Sequence, residues 1–324
     1  MIRIFANANY DFIGYRRKAI IATAVLLALG LVALLTRGGP AYSIEFTGGT
    51  LVDVRSTTGQ PFAIEQVRAG LLQAGLTAEI TPYGDGQEIA IRTRIAEDGG
   101  VSDDTEATAS AVGSALDQIQ GAGNWERLNA EGVSPKVGGE LRTQAFLAIF
   151  LSFFAVLAYL AYRFEWRFGL AAVIATAHDI VLTICFIAVL DLEVGLVVIA
   201  AVLSMVGYSL NDTIIIFDRV RENLHKNRRD QLIPVLNRSI NETLPRSVLT
   251  HTTTLAALMA LIIFGGPVIR PFALVMAFGV FTGTFSSIFI ASPVLLLIEQ
   301  RWPGADVRGV RTTTATRRSS PQAT

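Results

Sequence analysis

The chain has 324 residues, of which 51% are hydrophobic and 17% are charged. Soluble domains average about 25% charged residues, so this composition argues against an ordinary soluble enzyme. The 27 basic and 27 acidic residues give a net charge of zero, but the two signs are segregated along the chain. Residues 38–139 contain 14 acidic and 6 basic residues, a net charge of −8, and the rest of the chain carries +8.

Six apolar runs have the length that crosses a bilayer. They contain 17 to 27 residues, which brackets the roughly 20 residues that a transmembrane helix needs. The runs are Ala19–Leu35, Ala145–Tyr162, Phe168–Leu190, Val194–Phe217, Val248–Phe264 and Phe272–Ile298. The sequence therefore predicts an α-helical polytopic membrane protein with six transmembrane helices. The first run is interpreted as an uncleaved anchor, because it is long enough to span and lacks an A-x-A-like cleavage site.

Basic residues are concentrated on one side of the predicted bilayer, and the loops on the other side are acidic or nearly neutral. The positive-inside bias then places both termini in the cytoplasm and the large loop outside it. In order, the predicted regions are a cytoplasmic N-terminus (1–18), a first transmembrane helix (19–37), an extracytoplasmic domain (38–139), a five-helix transmembrane region (140–301) and a basic, disordered cytoplasmic tail (302–324).

A basic stretch at residues 218–246, inside the five-helix region, alternates charged and apolar residues. Basic side chains beside an apolar face are typical of a helix that lies along anionic headgroups. We therefore expect a cytoplasmic amphipathic segment here.

The large outer loop has the pattern of a folded α+β domain. Alternation and β-branched content predict strands, and apolar residues at helical spacing predict a helix over 62–76 and another from Asp103 or Asp104 to about Ile119. The predicted strands are Leu51–Arg55, Ala78–Thr81, Glu88–Arg92 and Trp125–Asn129. The order β-α-β-β-α-β predicts a ferredoxin-like domain. A short motif before the first strand suits a tight turn rather than a phosphate cradle: Phe46, Gly48, Gly49 and Thr50.

Several polar residues fall inside the apolar runs, where an ionisable group is by default a functional-site hypothesis. They are His178 and Asp179 in the third run, Ser204, Tyr208, Asn211 and Asp212 in the fourth, and Arg246, Thr250, His251, Thr252, Thr253 and Thr254 at the start of the fifth. Spacing of four residues puts Tyr208 and Asp212 on one helix face and Arg246 and Thr250 on another. A carboxylate and a guanidinium on neighbouring helices can compensate each other's desolvation, so the two faces are expected to meet.

These polar groups have a second interpretation, because hydroxyl groups commonly hydrogen-bond across membrane helices. Asp179 fits a structural and a functional role equally well, and Arg246 also suits an interfacial anchor. Small residues at 279, 283 and 287 form a stripe that lets another helix approach closely. The sequence contains no nucleotide-binding, metalloprotease or nucleophile-elbow motif, so we expect a non-enzyme without a cofactor that is driven by an ion gradient rather than ATP.

The motifs resemble those of SecF-type members of the SecD/SecF family of protein-export membrane proteins, which belongs to the resistance-nodulation-division superfamily. The similarity runs in order over nearly the whole chain, from Phe5 to about Leu297. The segments that carry it are Ser43–Thr50, Arg163–Arg167, Ala177–Asp179, Val206–Thr213, Phe217–Asn223, Leu244–Ser247, Thr252–Leu255 and Phe264–Pro267.

The resemblance implies a subunit of the bacterial cytoplasmic (inner) membrane that works with SecD and uses proton flow to assist polypeptide translocation through the SecYEG channel. It implies that Asp212 and Arg246 belong to a proton pathway to which SecD contributes a further Asp. We expect Asn211, Asp179 and His178 in the same pathway. Supporting hydroxyls are expected from Tyr208, Thr250, Thr253 and Thr254. The expected partners are SecD, SecYEG, the unfolded polypeptide and the lipid bilayer, without nucleic acid, and sodium is the alternative coupling ion.

Two other functions compete with protein export. A small-molecule exporter of the same superfamily would need a larger outer domain, usually present twice over about twelve spans, and a drug-sized pocket in it. An intramembrane aspartyl protease would need Asp179 and Asp212 to share one proton, but Asn211 precedes Asp212 where a G-x-G-D motif would have glycine. His251 departs from the family pattern, which more often has a small residue there, and the loop near Gly99–Glu106 is longer than usual.

Overall fold

The computed structural model describes residues 8–83, 85–93, 105–226 and 231–302. One π-helical turn, Ser287–Ala291, lies between the last two helices. The helices and strands, in chain order, are α1 (Arg16–Thr36), α2 (Ile44–Thr47), β1 (Gly49–Ser56), α3 (Ile64–Gln73), β2 (Ala78–Tyr83), β3 (Glu88–Thr93), α4 (Thr105–Gln120), β4 (Trp125–Val133), α5 (Pro135–Arg163), α6 (Trp166–Val189), α7 (Leu196–Lys226), α8 (Leu232–Phe264), α9 (Gly266–Ser286) and α10 (Ser292–Arg301).

Six helical segments are long and apolar enough to cross a membrane within the described ranges, which confirms the predicted number of spans. They are α1, α5, α6, α7, α8 and the continuous stretch of α9, the π-helical turn and α10. Several extend beyond their apolar runs, and α7 and α8 reach 31 and 33 residues. The extensions stay helical because polar residues at a helix end can be solvated while the backbone bonds continue.

The apolar face of residues 218–246 packs against protein, whereas the amphipathic pattern was interpreted as a face for lipid headgroups. The structure divides this segment between the end of α7 and the start of α8, and residues 227–230 lie outside the described residues. Asn223 of α7 donates hydrogen bonds to Ser239 (3.0 Å) and Glu242 (2.8 Å) of α8. Apolar side chains of the segment are buried in the same core as the membrane helices: Leu224, Leu232, Val235, Leu236 and Ile240. An amphipathic pattern marks an apolar face without specifying whether lipid or protein covers it, and here protein covers it.

The inserted domain has the predicted β-α-β-β-α-β order. Its four strands form one antiparallel sheet in the order β2-β3-β1-β4, and α3 and α4 pack on one face of it. Fully buried Val54 and Ile89 from the strands meet Leu71 and Leu116 from the helices in this core. The arrangement is that of a ferredoxin-like fold. The expected capping residues of α4 and most of the long loop before it lie outside the described residues.

The motif before β1 is a tight turn, as predicted. The short helix α2 ends at Gly48, and both Gly48 (φ +77°) and Gly49 (φ +139°) adopt positive φ angles that favour glycine. A Cβ atom on Gly49 would lie 2.5 Å from the carbonyl oxygen of Thr93 in β3. Phe46 and Thr50 are buried beside these glycines. The turn therefore connects α2 directly to the first strand of the sheet.

The inserted domain and its lead-in segment are connected to the loop between α6 and α7. Arg92 of β3 forms a 2.8 Å ion pair with Glu193, and both side chains are more than four-fifths buried. Tyr42 and Val194 form a parallel β-bridge. The Glu45 carboxylate accepts a hydrogen bond from the backbone N–H of Leu196 at the start of α7 (2.5 Å). A displacement of the domain would therefore act on the N-terminal end of α7.

We expect the inserted domain to become more stable as the pH falls. Asp53 lies on the face of the sheet opposite α3 and α4, and its Oδ1 is buried without a hydrogen-bond partner in the described chain. Burial raises the pKa of this carboxyl, which the charge of Arg92 only partly offsets. Because the folded state then binds the proton more tightly than the unfolded state, the stabilising proton is fully bound below the unfolded pKa and lost as the pH rises through the folded pKa.

Hydrogen exchange of the β1 amides in the intact protein, corrected for intrinsic rates, measures this effect between pH 7 and pH 4. Asp53→Asn should raise protection at pH 7 and flatten its pH dependence, because the buried charge is removed. Asp85→Asn is the control, since Asp85 is exposed. An unchanged pH dependence in Asp53→Asn would contradict the prediction.

Candidate functional site

The intramembrane polar residues form two separate clusters, one around Asp179 of α6 and one around Asp212 of α7. Both carboxyls are buried, with relative exposures of 0% and 3%. They differ in how many hydrogen bonds they receive, and this difference determines what each can do.

The Asp179 cluster is fully hydrogen-bonded. Asp179 Oδ2 accepts from Ser209 of α7 and Ser286 of α9, each at 2.6 Å. Asp179 Oδ1 lies 2.9 Å from Nδ1 of His178, whose Nε2 lies 2.7 Å from the Thr23 hydroxyl of α1. With its proton on Nδ1, the imidazole donates to the carboxylate and accepts from the threonine. The cluster thus joins four helices around one carboxylate without an open position.

The Asp212 cluster is only partly hydrogen-bonded. Asp212 Oδ1 accepts from the Ser247 hydroxyl of α8 at 2.6 Å and lies 3.9 Å from Nε2 of His251. Asp212 Oδ2 and His251 Nδ1 are buried without a hydrogen-bond partner in the described part of the chain. Unpaired buried polar atoms are costly, so such atoms mark a position for water or an exchanging proton.

Tyr208 is adjacent to this cluster, one helical turn before Asp212. Its ring lies 5.5 Å from that of His251. Its hydroxyl donates to Thr254 Oγ1 (3.0 Å) and approaches the Thr250 carbonyl oxygen (3.3 Å). The predicted supporting hydroxyls of Tyr208 and Thr254 therefore do meet, whereas the Thr253 hydroxyl bonds only to the backbone of its own helix.

Arg246 does not pair with Asp212, contrary to the expectation that their helix faces meet. Successive helical residues are rotated by about 100°, and the face of α8 that meets Asp212 carries Ser247 and His251. Arg246 is exposed, as is Asn211 next to Asp212. The spacing argument identified which residues share a face but could not determine which face turns inward.

The exposed residues form what we call the open polar face, on the outside of α7 and α8. Arg246 is an exposed charged group next to the fifth apolar run, without a side-chain hydrogen bond or ion pair among the described residues. A Cβ atom added to Gly207 would meet nothing within 4 Å. The members are Ser204, Gly207 and Asn211 of α7 and Arg246, Thr250 and Thr253 of α8, all exposed.

The small-residue stripe of α9 allows a close helix approach, as predicted, but the neighbour is α7 of the same chain. A Cβ atom on Gly279 would lie 2.0 Å from Met205 Cγ, and one on Gly283 would lie 2.9 Å from Ser209 Cβ. Ser287 and Thr213 hydroxyls are 2.8 Å apart in the same contact. The helix contact that the stripe predicts is therefore made within this chain.

The aspartyl protease alternative is not supported by this geometry. A catalytic dyad shares one proton between its two carboxyls, whereas Asp179 and Asp212 each hydrogen-bond to different serine hydroxyls. Sequence reasoning missed Ser209, Ser247 and Ser286, because nothing in a serine's spacing shows that it will meet a carboxylate on another helix.

The chain is similar to proteins of the export machinery. The family profile described as "Protein export membrane protein SecD/SecF, C-terminal" matches residues 112–301. The chain is 50% identical to the protein translocase subunit SecF of Gemmatimonas aurantiaca over 313 residues, which cover 94% of this chain and 92% of that protein. It is 38% identical to the protein translocase subunit SecF of Pseudomonas aeruginosa over 288 residues, covering 88% and 90% of the two chains.

The chain is also similar to solved structures of SecDF. The crystal structure of SecDF from Thermus thermophilus, a translocon-associated membrane protein, aligns with a TM-score of 0.79 and 33% identity. The alignment covers 93% of this chain but only 40% of the SecDF chain. A SecDF structure in a super-membrane-facing form aligns with a TM-score of 0.67 and 34% identity over the same shares of both chains.

Proposed function

The chain belongs to the SecD/SecF family of protein-export membrane proteins, and we propose that it drives its part of export by carrying protons at Asp212. Its function is that of a SecF-type protein translocase subunit, which is not an enzymatic role. The small-molecule exporter alternative has no support among these relatives. We further propose that protons are the coupling ion, that Asp212 carries them, and that SecD and the SecYEG channel are the partners.

The open oxygen of Asp212 is the observation that carries the proposal. A carrier must bind and release a proton during each cycle, so it needs an atom that water or another carrier can reach. Asp212 Oδ2 is buried within the helix of the fourth apolar run and has no hydrogen-bond partner in the described residues. Both oxygens of Asp179 are already hydrogen-bonded. In this proposal Asp179 and His178 are positioning residues that hold α7 in place.

The open polar face is where a SecD-type partner would pack. This chain spans 40% of the solved SecDF chain, and transporters of this kind are commonly built from two related halves with the ion site between them. Arg246 then faces a carboxylate of the partner, and Asn211 lies beside the contact. Without that partner, Arg246 would be an unpaired charge at the edge of the apolar run, so the lone chain would be incomplete.

The proton cycle would act on the inserted domain through α7. Protonation neutralises Asp212, which changes the packing preferred between the two halves. Glu45, Val194 and Glu193 connect the outer end of α7 to the inserted domain and its lead-in. With both termini cytoplasmic and the domain outside, in the bacterial inner membrane, this domain would meet the polypeptide that leaves the SecYEG channel.

Proton influx into proteoliposomes that hold the chain and its SecD partner tests the proposal. We expect flux only when both subunits are present, and a fall of about tenfold or more in Arg246→Gln, equivalent to at least ~1.4 kcal/mol in the barrier. Arg270→Gln is the control, because Arg270 is exposed at the start of α9. Flux that requires sodium, or that is equal in Arg246→Gln and the wild type, would overturn the proposal.

A further inference from the structure

His251 is a buried imidazole beside the proposed carrier, and its Nδ1 has no hydrogen-bond partner in the part of the chain that the structure describes. Its side chain is 9% exposed, and Nε2 points toward Asp212 Oδ1 at 3.9 Å. Nδ1 is buried without a partner among the described residues. A histidine buried for packing alone normally satisfies both nitrogens, as His178 does with Asp179 and Thr23. The open Nδ1 therefore needs an explanation other than packing.

We propose that His251 relays the proton to Asp212, so that the ion pathway of this chain runs through an imidazole–carboxylate pair. The inference rests on the proposed carrier role of Asp212 and adds a second residue to it. An imidazole suits a relay because it can accept a proton on one nitrogen while it releases another from the opposite nitrogen. In this chain the ring nitrogen Nε2 of His251 on α8 faces the carboxylate oxygen Oδ1 of Asp212 on α7.

The proton transfer needs only a hydronium ion as the proton donor, and it leaves water as a product. His251 begins neutral, with its proton on Nε2. A hydronium ion gives a proton to Nδ1, the Nε2 proton passes to the Asp212 carboxylate, and the products are water, a neutral imidazole protonated on Nδ1 and a carboxylic acid. Asp212 later releases its proton to water on the other side. The imidazole resets when its ring flips or its proton exchanges between the two nitrogens.

The gap between the two groups gives the relay a gate. A charge-assisted hydrogen bond needs about 2.7–2.9 Å between nitrogen and oxygen, and Nε2 to Oδ1 is 3.9 Å. The proton can pass only when α7 and α8 approach by about 1 Å, or when one water bridges the gap. Packing of the partner on the outside of these two helices would control that approach.

Few titratable side chains of the described chain lie near His251. From α7, Asp212 and Tyr208 face it. From α9 the one charged residue is Arg270 in the first turn, and its side chain is exposed. On α8 itself, Arg246 lies on the exposed face. The neighbour that responds to the charge of His251 at close range is therefore Asp212.

Proton flux of the reconstituted complex as a function of pH tests the relay. His251→Gln keeps the size and polarity of the side chain but cannot titrate, and we expect about a tenfold loss of flux and loss of the inflection between about pH 5 and 8 that imidazole contributes. His251→Ala should regain part of its flux when free imidazole is added. His225→Gln is the matched control, since His225 is exposed near the end of α7.

The outcomes separate this inference from the carrier proposal. Loss of flux in Asp212→Asn together with wild-type flux and pH profile in His251→Gln would overturn the relay and keep the carrier. A lower amount of folded complex in His251→Gln, with the pH profile per molecule unchanged, would also overturn the relay, because it indicates packing against Tyr208 only. Retained flux in Asp212→Asn would overturn the carrier proposal itself.

Discussion

Asp212→Asn is expected to leave the protein folded in the membrane and to abolish export driven by the proton gradient. Asparagine has the same shape as aspartate, and its carbonyl oxygen can still accept the Ser247 hydrogen bond that Asp212 Oδ1 accepts at 2.6 Å. It cannot bind and release a proton. One charge crossing 100 mV supplies about 2.3 kcal/mol, which corresponds to a bias of about 50-fold in an equilibrium constant. The variant loses that bias.

The measurement is export of a reporter polypeptide with and without the gradient, alongside the amount of inserted protein. Asp218→Asn is the matched control, because it makes the same change on the same helix at an exposed residue that pairs with Arg163. We expect the control to retain gradient-dependent export. Equal stimulation by the gradient in Asp212→Asn and the wild type would favour a purely structural role for this subunit.

Two glycine substitutions should affect different contacts. Gly207→Leu adds a side chain where nothing lies within 4 Å in this chain, and leucine is the better helix former. The folded chain should therefore be at least as stable as the wild type. If a partner helix packs on the open polar face, the added bulk costs about 1–3 kcal/mol there, which weakens assembly by about 5- to 150-fold.

Gly283→Leu is the contrasting variant in the same prediction. Its Cβ atom would lie 2.9 Å from Ser209 Cβ and 3.0 Å from the Ser209 backbone. It should separate α9 from α7, disturb the hydrogen bonds to Asp179 and lower the amount of folded chain. Co-purification with the SecD partner, normalised to folded chain, distinguishes the two variants. Normal partner recovery by Gly207→Leu would contradict the assignment of the open polar face.

The sequence determined the architecture because the signals for it are local. Hydrophobic length alone identifies six spans, since a helix must cover a hydrocarbon core of fixed thickness. Alternation in strands and spacing in helices identifies the inserted β-α-β-β-α-β domain. The paired glycines after Phe46 indicate the turn, because few other residues adopt positive φ. The motifs around Asn211–Asp212 and Arg246 also identified the family, which the comparisons confirm.

Only the tertiary structure decided which polar groups meet. The spacing on α7 and α8 identified shared faces, but a rotation of 100° between neighbouring residues placed Ser247 against Asp212 and turned Arg246 outward. Packing covered the stripe at Gly283 with α7. It also buried the apolar side of residues 218–246 in protein. These outcomes depend on contacts between segments far apart in sequence, where a local pattern carries no information about its neighbour. For the same reason, the satisfied carboxylate of Asp179 and the open oxygen of Asp212 could not be distinguished by sequence alone.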